Sequence, residues 1–68
     1  MIKLKSKMVL HKDNMQSLAK HLGISRQTLS GRMNGHTAFK AHEVMSIADR
    51  YDLGSDEIVE IFFKGGLL

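Results

Sequence analysis

A chain of 68 residues with net charge +3 and no cysteine is one domain near the lower size limit for a single hydrophobic core, and neither a disulfide framework nor a thiolate metal site can reinforce it. Its charge is polarised: in residues 1–40, Lys3, Lys5, Lys7, Lys12, Lys20, Arg26, Arg32 and Lys40 face Asp13 alone, whereas in residues 41–68 Arg50 and Lys64 face Glu43, Asp49, Asp52, Asp56, Glu57 and Glu60. No apolar run reaches the length of a membrane span and the opening MIKLKSKMVL is too short in apolar residues for a signal peptide, so a cytoplasmic protein is expected.

Leu4 and Met8 are spaced i,i+4, as on one face of a helix, while Ile2 and Leu4 alternate with Lys3, Lys5 and Lys7 as in an exposed edge strand. The lack of a second strand candidate nearby favours the helix. Lys12-Asp13-Asn14 is a polar connection in which Asn14 suits the N-cap of a second helix, from about residue 15 to 22. That helix buries Leu18, Ala19 and Leu22 and leaves Gln16 and Lys20 outside. Gly23 ends it, because glycine adopts the left-handed conformation without a Cβ penalty. Ser25 caps a third helix that buries Leu29 and Met33, and Asn34-Gly35 stops it. Residues 14–35 therefore predict two short helices joined by a tight turn, with Ala19 small enough for a close crossing.

The opposite face of the third helix carries Arg26, Gln27, Ser30 and Gly31, flanked by Thr28 and Arg32. Arginine can donate two hydrogen bonds to guanine, glutamine can pair with adenine, and hydroxyls can meet a base or a phosphate. Gly31 weakens a helix interior by about 1 kcal/mol relative to alanine. It is either a point where DNA approaches the backbone or an ordinary solvent-facing glycine. The basic half orients the molecule toward a polyanion, although clustered charge on a solvated surface is the plainer alternative.

In the following loop Phe39 is the anchor, and Asn34, His36, Thr37 and Lys40 are placed to meet phosphates. A fourth helix, about residues 41–52, buries Val44, Ile47 and Ala48, with Tyr51 near the edge; Lys40 is a poor N-cap for it, while Glu43 suits the dipole. Gly54 is expected to end it and Ser55 to cap a fifth helix, with Asp56 and Glu57 in its first turn and Ile58, Ile61, Phe62 and Phe63 following. Adjacent phenylalanines cannot share one helix face, which leaves one for a partner. The tail, residues 65–68, adds Leu67 and Leu68, which either fold back or join Phe62 and Phe63 in an interface with a second subunit.

LAKHLGISRQTLSGRMNG, followed by Phe39, Glu43, Ile47, Leu53 and DEIVEIFF, resembles the small helix-turn-helix repressors of bacteriophages, the Cro and lambda-repressor-like group, and especially the short regulators of phages and prophages in Gram-positive bacteria. The resemblance implies an all-α, compact five-helix lambda-repressor-like DNA-binding domain over residues 1–64, acting as a homodimer on double-stranded operator DNA without a cofactor. It assigns base reading to Ser25, Arg26, Gln27 and Thr28, and later to Ser30 and Gly31. The family's first motif position, often a glutamine on a phosphate, is Met15 here, so Asn14 or Gln16 takes that contact beside Lys20. The buried position late in the recognition helix is commonly apolar but is Arg32 here, so Met33 is expected to supply the packing and Arg32 to turn toward a phosphate.

Other chemistries are less well supported. His11, His21, His36 and His42 lack tight ligand spacing, which speaks against a metal site. The serines have no evident His-Asp arrangement and the chain leaves little room for a closed pocket, which speaks against an enzyme. The alternative is a protein-binding module on the same fold, such as an antitoxin or antirepressor.

Overall fold

The computed structural model describes residues 2–63 and is all-α over that range: five α-helices, the last continuing into a π-helical segment, and no strand among the described residues. Leu67 and Leu68, with the expected tail, lie outside the described residues. The chain divides into two compact units, Met1–Ala38 and Phe39–Leu68.

In the first unit α1 spans Ile2–Leu10, α2 Met15–Leu22 and α3 Arg26–Met33. The i,i+4 spacing decides the first segment: Leu4 and Met8 are buried on one face of α1, and Ile2 is 83% exposed. The chain leaves α1 through Lys12, whose φ of 59° is left-handed. Its N–H donates to the Val9 carbonyl at 3.0 Å and the Asp13 N–H to the Met8 carbonyl at 2.7 Å, the paired closure that satisfies orphan carbonyls at a helix end.

Asn14 then caps α2 reciprocally. Its Oδ1 accepts the Ser17 N–H at 2.8 Å, and Ser17 Oγ accepts the Asn14 N–H at 2.9 Å. A serine thus serves where glutamate or glutamine usually completes the box. Leu18 and Ala19 are buried, and α2 packs on α3. Leu22, expected in the core, is only half-buried; α2 ends at this residue, so no further helical turn flanks it. Gly23, at φ 73°, makes the same closure as Lys12, with bonds from Gly23 N–H to Lys20 and from Ile24 N–H to Ala19.

In the second unit α4 spans Ala41–Tyr51 and α5 Ser55–Ile58, followed by the π-helical residues Val59–Phe63. Lys40 makes no side-chain cap, as its identity predicts, but Glu43 Oε1 accepts the Lys40 N–H at 2.9 Å. Glu43 is buried with 1% exposure, so its carboxylate serves the helix end in addition to suiting the dipole. Tyr51 is buried rather than peripheral, because it continues the stripe of Val44, Ile47 and Ala48 at helical spacing.

Two boundary expectations are corrected. Asp52, at φ 53°, ends α4, with the Leu53 N–H reaching the Ala48 carbonyl at 2.9 Å; the helix is closed before Gly54. Gly54 is instead the N-cap of α5, and Ser55 is its first helical residue. The two adjacent phenylalanines separate as helix geometry demands: Phe62 meets Phe39 edge to face at 5.3 Å and 82°, while Phe63 is 47% exposed.

α1 to α4 thus end on the same closure, two with glycine and two with Lys12 or Asp52 in left-handed geometry. A side chain there costs about 1–2 kcal/mol, partly offset by glycine's greater entropy loss on folding. Lys12→Gly should therefore raise the unfolding free energy by about 0.5–1 kcal/mol, and Gly23→Ala should lower it by roughly 1 kcal/mol or more. Urea titration measures both, and a Lys12→Gly chain less stable than its parent would contradict the strain.

Candidate nucleic-acid interface

The N-terminal turn of α3 is held by Ser25. Its Oγ accepts the Thr28 N–H at 3.0 Å and donates to Thr28 Oγ1 at 2.9 Å. These two hydroxyls are engaged with each other, and the cap contributes about 1 kcal/mol to the helix. Between them Arg26 and Gln27 are exposed, on the first turn of a helix whose other side is fixed by buried Leu29 and Met33. This is a side-chain pair held outward by its scaffold, with hydrogen-bonding groups of the type able to pair with base edges.

Farther along α3, Ser30, Gly31 and Arg32 are half-buried. Asn34 Nδ2 lies 3.4 Å from Ser30 Oγ, a long hydrogen bond. Met33 is 5% exposed, so the packing expected of it is present. Arg32 Nη1 donates to Thr37 Oγ1 at 3.1 Å, a pairing between helix and loop that had no signature in the sequence.

The expected phosphate residues divide by location. Gln16 and Lys20 are exposed on α2, and Asn34, His36 and Thr37 are exposed after α3. Asn14 is exposed but its side-chain oxygen, Oδ1, is committed to accepting the Ser17 N–H. Met15 is half-buried, in keeping with an apolar residue where the family pattern has a polar one. Lys40 is exposed in the second unit, at the start of α4. The first unit holds Lys3, Lys5, Lys7, Lys12, Lys20, Arg26 and Arg32 against Asp13, so α2 and α3 present their polar residues from a strongly basic body.

Among the described residues no group of three His, Asp or Glu side chains is arranged to hold a metal ion, and no helix is long and apolar enough to cross a membrane. Comparison with protein families gives a match to a family described as helix-turn-helix over residues 4–58. No curated protein and no solved structure matches the chain.

Gly31 tests how much of this surface is made for the protein's own sake. A Cβ built there would meet only Thr37 Oγ1, at 3.9 Å, an ordinary contact, and its φ is not left-handed. The fold therefore does not require glycine. Gly31→Ala should stabilise the protein by about 1 kcal/mol, a rise in thermal midpoint of roughly 4–8 °C for a domain of this size. A fall in the midpoint would mean that the helix does need glycine here.

Proposed function

Since the chain belongs to the helix-turn-helix family of the Cro and lambda-repressor type, whose members are DNA-binding transcriptional regulators, we propose that it reads an operator in double-stranded DNA through the major groove. The observation that carries this reading is the exposed Arg26-Gln27 pair on the first turn of α3, in a unit whose only acid is Asp13. α3 lies in the groove, with Arg26 and Gln27 on base edges and Thr28, Ser30 and Gly31 alongside. Ser25 caps the helix that carries them. Gln16, Lys20, Arg32, Asn34, His36, Thr37 and Lys40 are the candidates for phosphate contacts that set register without reading sequence. Asn14 is a weaker candidate, because its oxygen already serves α2.

A phage or prophage origin and a cytoplasmic site of action follow from the resemblance. The protein acts as a homodimer on half-sites roughly 34 Å apart, one turn of DNA. Of the two phenylalanines Phe63 is the better interface residue, because Phe62 already packs edge to face on Phe39. Regulation is by occupancy of a promoter.

Selection of binding sites from random DNA tests the proposal: a palindromic consensus is expected, and recovery of no sequence would favour a protein-binding role for the same fold. On the selected duplex, Gln27→Ala should cost about 1–3 kcal/mol and relax the choice at one base pair. Equal loss on every sequence would count against base reading. Lys20→Ala should weaken specific and random DNA alike and flatten the slope of log K against log salt by about 0.9. Phe63→Asp should shift sedimentation toward the monomer, and an unaltered dimer would remove Phe63 from the interface.

A further inference from the structure

The end of α3 carries an arrangement that base reading does not use. The Gly31 carbonyl accepts two backbone N–H groups, from His36 at 2.9 Å and from Thr37 at 3.4 Å. Residues 35–37 are thereby tied back to the last turns of the helix, with Gly35 at φ 82° making the bend. This brings Thr37 Oγ1 to the side of α3, where it accepts a hydrogen bond from Arg32 Nη1 at 3.1 Å.

A surface arginine samples many rotamers, and any ligand that contacts it must first order it. Here one guanidinium donor is directed at a hydroxyl whose own backbone is hydrogen-bonded to the same helix. Because the guanidinium is planar, fixing one N–H restricts the direction of the others. The acceptor's chemistry matters as well. A threonine hydroxyl carries no charge, so this bond orders the arginine without neutralising it, whereas an aspartate at position 37 would compete with any anion for the same fork.

We propose that Thr37 is a positioning residue that holds the Arg32 guanidinium ready for a phosphate of the DNA backbone. The inference rests on the DNA-reading function proposed above and assigns Thr37 an action through Arg32 in place of a phosphate contact of its own. The simpler role for Arg32, a cation at the C-terminal end of a helix, would favour the dipole but would give Thr37 no part in binding DNA.

A double-mutant cycle on the duplex recovered by selection separates these roles, with thermal midpoints measured alongside. Thr37→Val, which keeps the shape and removes the acceptor, should weaken binding roughly two- to tenfold, and Thr37→Ser should stay within about twofold of the parent. Arg32→Ala should flatten the salt slope by about 0.9. In the Arg32→Ala chain, Thr37→Val should cause no further loss. A loss that persists undiminished in that chain would mean that Thr37 meets DNA itself, and would overturn the proposal. So would a Thr37→Val chain that binds as the parent does, a serine variant as weak as the valine one, or a salt slope unmoved by Arg32→Ala. A parent chain that binds no duplex would overturn the DNA-reading function, and this inference with it.

Discussion

The turn at residues 23–25 is the constraint on which the candidate interface depends. Gly23 must be left-handed for α2 to close on its own carbonyls, and Ser25 must be extended for its hydroxyl to cap α3. Only Ile24 lies between them. The direction in which α3 leaves α2 is therefore set by two adjacent backbone requirements, each worth about 1 kcal/mol. Those terms are large against the few kcal/mol that hold a chain of this size together. The burial of Leu29 and Met33 then fixes the rotation of α3 about its own axis. Arg26 and Gln27 face outward as a consequence of both.

The same closure is made at the ends of α1 to α4, but its cost is unevenly distributed. Glycine occupies the left-handed position after each of the two motif helices, α2 and α3, and Lys12 and Asp52 occupy it after α1 and α4. The motif is thus relaxed where it presents its polar face, and strain lies at helix ends outside it. Gly31 inverts that economy. It occupies a helical position that alanine would fill at ordinary contact distance, so its cost to the helix has no return inside the protein.

Many polar groups of this surface are already engaged with one another. Ser25 holds Thr28, Asn34 reaches Ser30, and Arg32 is held by Thr37. Such bonds are worth little individually at an exposed site. Their effect is to restrict the directions in which the side chains point, which a rigid ligand such as duplex DNA rewards through a smaller ordering cost on binding. In the second unit Phe62 packs edge to face on Phe39, whereas Phe63 is exposed.

Local chemistry made most of the helices legible in the sequence. The caps at Asn14 and Ser25, the stops at Gly23 and Gly35, and the i,i+4 pairs Leu4/Met8, Leu18/Leu22 and Leu29/Met33 all act within a few residues, where spacing is sufficient information. The polar face of α3 follows from the same periodicity. Tertiary structure decided what depends on backbone angles and distant partners. Asp52, a residue not marked as a left-handed stop, closes α4 before Gly54 can, and this shifts the cap of α5 by one residue. Glu43 and Tyr51 are buried because their helix turns them inward, although charge and a phenol suggest the edge. Arg32 finds Thr37 only because two bonds to the Gly31 carbonyl carry the loop back to the helix, a geometry that no spacing rule in the sequence encodes.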